Sequence, residues 1–163
     1  MSRTIPKLTP AEKSEFVSTL RLLLTAGKNG GAVRFKHEGR SLKGVDCVGT
    51  PVWGYAQLGM ACYVRDLDRY SKTPDGHTLE RMIREHLGEP LKKHQWQPGD
   101  IALLRWIGKG GANISHVAIL TRYRFDETGK TFGLLHALRE NKKVIEHVLD
   151  SVWRRRIVEV YRT

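Results

Sequence analysis

Phe16, Leu20, Leu23 and Leu24 recur at three- and four-residue steps, the spacing of one apolar helix face. Just ahead of them Thr9-Pro10-Ala11-Glu12 forms a capping box with proline at the first helical position, so a helix is expected to open at Thr9 and to end at Gly27. The same spacing returns at Val48, Val52, Tyr55 and Ala56, with Gly59 as a stop. Pro51 leaves the start of this second helix open. Either Thr50-Pro51 are its cap and first residue, with Cys47 just upstream, or the helix begins at Cys47 and Pro51 interrupts its first turn. A third, short helix is expected over Thr78–Leu87, with Leu79, Met82, Ile83 and Leu87 inward and Gly88 and Pro90 closing it. The segments 27–44 and 61–76 lack sustained periodicity and read as loops.

Past residue 100 the pattern changes. Runs over 101–106, 116–125, 131–138, 144–149 and 157–161 are short and β-favouring, and Pro98-Gly99-Asp100 and Asp126-Glu127-Thr128-Gly129 are the clearest turns. Helices first and strands after predict an α+β domain over 1–163, an antiparallel sheet packed on N-terminal helices. A length of 163 residues suits one core.

Composition narrows the classes. No apolar run approaches a membrane span, so no membrane-spanning segment is expected. Residues 1–9 lack the apolar core of a secretory signal, which predicts synthesis in the cytoplasm without a signal peptide. Two cysteines make no disulfide framework, and neither Cys-x-x-Cys nor His-Glu-x-x-His occurs, so no metal site is expected. The net charge of +11 favours polyanions. The basic residues are dispersed, however, with Arg154, Arg155 and Arg156 the only tight triplet, which argues against specific nucleic-acid recognition.

Candidate chemistry centres on Cys47 in Gly44-Val45-Asp46-Cys47-Val48-Gly49. A thiol attacks as thiolate, and a helix N-terminus with a nearby imidazole lowers its pKa; that lowering is expected here. Of seven histidines, most read as surface residues, His147 among them. His116 and His136 differ because each lies at an end of an apolar β-run, in His116-Val117-Ala118-Ile119-Leu120 and Leu134-Leu135-His136-Ala137. If the runs pair across the 126–129 turn, their even spacing allows both imidazoles one face, and one then orients the other.

Four ordered segments resemble the NlpC family of papain-like peptidoglycan peptidases. They are Gly44 to Gly49 as the nucleophile motif, Gln97-Pro98-Gly99-Asp100-Ile101-Ala102, Ser115-His116-Val117-Ala118-Ile119 as the base strand, and Leu135-His136-Ala137. The resemblance implies a papain-like α+β core, no metal or organic cofactor, and cleavage of amide bonds in peptidoglycan stem peptides. It implies Cys47 as nucleophile, His116 as general base and His136 as third polar residue, with Asp46, Val48 and Ser115 as substrate-binding positions. Val48 stands where the family commonly has serine, and Phe35 where an aromatic hydroxyl usually precedes the motif. The segment Tyr70 to Gly76 and the end from Trp153 to Tyr161 look most like members encoded with bacteriophage or prophage tail genes, which implies phage tail proteins as partners and delivery to the wall on a tail. A thiol amidase or acyltransferase of the same fold, and a non-catalytic tail or scaffold module, are the alternatives.

Overall fold

The computed structural model describes residues 4–65, 75–108 and 111–163. Helix α1 spans Pro10–Arg21, and its capping box is formed: the Thr9 hydroxyl accepts from the Glu12 amide, and the Glu12 carboxylate accepts from the Thr9 amide. The helix stops earlier than Gly27 because a 3-10 turn, Leu22–Leu24, takes over. Helix α2 spans Gly49–Gln57. Pro51 is its third residue, where the missing N–H has no intrahelical partner to lose, and Cys47 lies two residues upstream. Helix α3 covers Thr78–Leu87 as expected, ending at Gly88. Helix α4, Ser151–Arg156, is capped by the Asp150 side chain on the Trp153 amide and has no apolar periodicity to announce it.

The segment read as a loop over 27–44 holds more structure than its pattern suggests. A small hairpin pairs β1, Arg40–Ser41, with β2, Gly44–Val45. The expected loop over 61–76 contains a 3-10 turn at Ala61–Tyr63, whereas 66–74, and with it most of the Tyr70 to Gly76 stretch, lies outside the described residues.

Five further strands form one antiparallel sheet: β3 Ile101–Gly108, β4 Gly111–Arg122, β5 Phe132–Leu138, β6 Lys143–Val148 and β7 Ile157–Tyr161, in the order β6-β5-β4-β3-β7. The alternation of side chains along each strand sorts them onto two faces. Leu103, Val117, Ile119, Leu135, Ala137 and Val144 meet Phe16, Leu20, Val48 and Val52 from the helices in the main core. Ala102, Leu104, Ala118, Leu120 and Leu134 form a second cluster on the opposite face, partly covered by Trp153 and Ile157.

Lys13 of α1 reaches across to the Pro98-Gly99-Asp100 turn, where its ammonium lies 3.1 Å from the buried Asp100 carboxylate. That ion pair ties the first helix to the start of β3. Among the described residues no helix is long and apolar enough to cross a membrane.

Candidate active site

The chain enters α2 through a clamped turn. The Asp46 carboxylate is 2% exposed; it accepts from the Gly49 and Glu38 amides, each at 2.7 Å, and from Arg40 Nη1 at 3.3 Å. Its backbone carbonyl takes the Thr50 amide and hydroxyl, each at 2.9 Å. The loop packs so closely that a Cβ on Gly49 would stand 2.0 Å from the Gly39 carbonyl oxygen, so only glycine fits. These bonds hold Cys47, a half-buried residue with a free thiol, at the mouth of the helix.

Strand β4 comes to meet it. The β4–β5 ladder ends at Ile119 opposite Leu135, and two residues further the Val117 backbone reaches the Cys47 sulfur. On the other side β4 pairs with β3 through a bulge, Leu104 facing His116 and Arg105 facing Ile114, which leaves Ser115 as the extra residue.

Backbone hydrogen bonds at Val117, Val48 and Cys47 itself favour the thiolate, but burial and the Asp46 carboxylate outweigh them and push the thiol up to about 12. This reverses the lowering expected from the sequence. Loss of hydration acts on the whole charge, whereas a helix start contributes a fraction of one.

Three histidines lie in a row across β4, β5 and β6. His116 Nε2 is 2.7 Å from His136 Nδ1, His136 Nε2 is 2.8 Å from His147 Nε2, and His147 Nδ1 is 2.8 Å from the Val148 carbonyl oxygen. Their common face follows from the register: Leu120 faces Leu134 and Leu134 faces His147, while His116 and His136 are an even number of residues from Leu120 and Leu134. The row accounts for both ring nitrogens of His136 and His147. It leaves Nδ1 of His116 outside.

An aromatic layer covers the row. Trp153 of α4 lies 5.1 Å from the His136 ring and 4.8 Å from that of His147, Trp106 packs edge-on at 5.7 Å from His116, and the Arg156 guanidinium sits over both indoles at 4.6 and 4.9 Å. Burial, the Arg156 charge and His147 push His116 down to about 3. Burial, then His116 and His147, hold His136 well below the ordinary imidazole range. The resting site is therefore a neutral thiol against the backbone of the strand that carries the neutral His116 imidazole.

The expected residues thus fall into two groups. His116 and His136 are in direct contact and Cys47 is beside the strand that carries His116, while Ser115 is half-buried in the bulge. Val48 is 3% exposed and packs in the main core beside Pro51 and Val52; the part of it that touches the site is its backbone. Asp46 points inward to cap α2 and hold the loop. His147, Trp106, Trp153 and Arg156 are neighbours of the site that the sequence pattern did not single out, since the strands and turn that bring them together are joined only in three dimensions. Among the described residues no group of three or more His, Cys, Asp or Glu side chains is arranged to hold a metal ion.

A cysteine at the start of a buried helix, set against an antiparallel sheet strand that carries a histidine, fits the papain-like α+β class. The NlpC/P60 family model matches residues 32–162, and the chain belongs to that family. No curated protein matches it. Among solved structures it resembles the NlpC/p60 domain of the peptidoglycan hydrolase SagA, at 16% identity and a TM-score of 0.53 over 93% of this chain and 98% of that one. It also resembles a lipoprotein-like NLP/P60 family protein from Staphylococcus aureus, at 16% identity and a TM-score of 0.57, covering 96% of this chain but 43% of that one. At such identities the likeness is one of fold.

Proposed function

We propose that this chain is a cysteine peptidase that hydrolyses amide bonds in peptidoglycan stem peptides, with Cys47 as nucleophile, His116 as base and His136 as its orienting partner. The observation that carries the reading is the 2.7 Å bond from His116 Nε2 to His136, which leaves His116 Nδ1 for the proton of a thiol set beside the same strand. Membership of the NlpC/P60 family and the fold shared with a peptidoglycan hydrolase support the choice of substrate.

The chemistry follows from a neutral pair. As substrate excludes water, His116 Nδ1 takes the Cys47 proton and the sulfur attacks the amide carbon, forming a C–S bond while the carbonyl electrons move to oxygen. The amide N–H of Cys47 stabilises that oxyanion. The C–N bond then breaks as His116 returns the proton to the leaving nitrogen, releasing a free amine and a thioester. His116 next deprotonates a water, whose attack releases the acid and restores the thiol. The dispersed +11 charge favours adsorption to an anionic wall. Carriage by phage tail proteins is a separate proposal, supported by sequence resemblance, and is tested by probing purified tail particles for the chain.

Digestion of purified sacculi tests the reading. New amino groups and shortened muropeptides by mass spectrometry are expected with the wild-type protein and not with Cys47→Ala. One observation favours the second reading, a non-catalytic binding module: the thiol raised to about 12. Binding of sacculi without new amines from either protein would establish it.

A further inference from the structure

We infer that His147 is a positioning residue that, through the Val148 carbonyl, sets the tautomer of all three histidines and so keeps the base nitrogen of His116 unprotonated. The inference rests on the peptidase reading for its consequence and on the hydrogen-bond row for its content. A carbonyl oxygen only accepts, so His147 Nδ1, 2.8 Å from it, carries the hydrogen. A neutral imidazole has one N–H, so His147 Nε2 is an acceptor. His136 Nε2, 2.8 Å away, must then donate, and His136 Nδ1 must accept. That requires His116 Nε2, 2.7 Å from it, to hold the hydrogen, which leaves a lone pair on His116 Nδ1.

The opposite polarity would satisfy the two inner bonds equally well. His147 Nε2 would donate to His136, His136 Nδ1 would donate to His116, and His116 would carry its hydrogen on Nδ1, where it cannot take a proton from a thiol. His136 by itself does not choose, because an imidazole can donate from either nitrogen. The fixed acceptor at the end of β6 breaks the tie, and it does so only through His147. The row must also stay neutral for the argument to hold, and the groups that bear on its charge are Arg156 and the histidines themselves. Around His116 and His136 all of these are basic and oppose protonation.

The test is two-bond proton–nitrogen correlation of the histidine rings at pH 7.5 on the full chain without substrate, which reads tautomers whether or not the protein is an enzyme. The expected wild-type pattern is Nδ1–H for His147 and Nε2–H for both His136 and His116. Any other pattern in the wild type overturns the inference. In His147→Phe, which has no acceptor, His116 should become a mixture with a visible Nδ1–H fraction. In His147→Gln, whose amide can either accept from His136 or donate to it, the mixture should persist. Retention of pure Nε2–H in a folded His147→Phe protein would assign the lock to His136 alone and also overturn the inference. With stem peptide as substrate, kcat should fall about tenfold in His147→Phe, less than loss of the base itself, with KM little changed. If sacculi are not cleaved by the wild type, the spectra still decide the tautomers.

Discussion

Mild acid should loosen this protein before its carboxylates titrate, because the site is built on imidazoles that fold in the neutral form. His116 is 7% exposed and His136 is 0%, and the charges that bear on them are basic. Burial first, then Arg156 and His147, push His116 down to about 3, and His136 is also held well below its ordinary value. In the unfolded chain both titrate near 6.5. Below that pH the unfolded state binds protons that the folded state refuses, so stability is fully present above about 6.5 and falls as the pH descends towards the folded values. Each histidine that stays neutral contributes a slope of about 1.4 kcal/mol per pH unit. Between pH 6.5 and 5.0 that is about 2 kcal/mol for one and about 4 for two, and because the rings share a hydrogen bond and titrate as a unit the loss should fall between those figures. Such a loss is a large share of the stability of an ordinary domain. Urea midpoints at pH 7.5, 6.0 and 5.0 should show it for the wild type, and a His116→Leu/His136→Leu double variant should show a much flatter dependence. The histidines outside the row keep their surroundings in both proteins and cancel in the comparison. Equal pH dependence in the two would refute the reasoning. The carboxylates of exposed Asp75 and half-buried Asp126, lowered by hydrogen bonds from Thr78 and from Thr131 respectively, lose their contribution only at more acid pH.

Two further outcomes follow from particular contacts. Gly99 has φ of +94°, and a Cβ there would lie 2.2 Å from Lys13 Cγ; Gly99→Ala should therefore displace the buried Lys13–Asp100 pair and cost about 2 to 5 kcal/mol in urea unfolding, with a loss below about 1 kcal/mol contradicting the packing argument. Iodoacetamide at pH 7.5 should label exposed Cys62 at least about tenfold faster than Cys47, whose burial disfavours the thiolate. Faster labelling of Cys47, read by peptide mass spectrometry, would show a preformed thiolate–imidazolium pair instead of a neutral one.

Local pattern carried much of the architecture. The Thr9–Glu12 capping box, the apolar stripe of 78–87 and the alternating runs after residue 100 each lie within a few residues of one another, so spacing alone reveals them. The four ordered segments around Cys47, Asp100, His116 and His136 are likewise short, which is why the family resemblance was visible in the chain. The even spacing of His116 and His136 allowed a shared face, and the hairpin across 126–129 places them in contact. His147 read as a surface residue because its partner is chosen by the β5–β6 register, with Leu138 opposite Lys143, a non-local pairing that no composition reports. Asp46 had the residue type of a ligand for an amine, yet the fold turns its oxygens onto the Gly49 and Glu38 amides. The sequence by itself determined the three main helices, the five strands of the large sheet and their order, since these depend on local propensity and periodicity. Only the tertiary structure decided the charge state of the thiol, the polarity of the histidine row and the cover laid over it by α4, because desolvation and hydrogen-bond direction are properties of what surrounds a group in space.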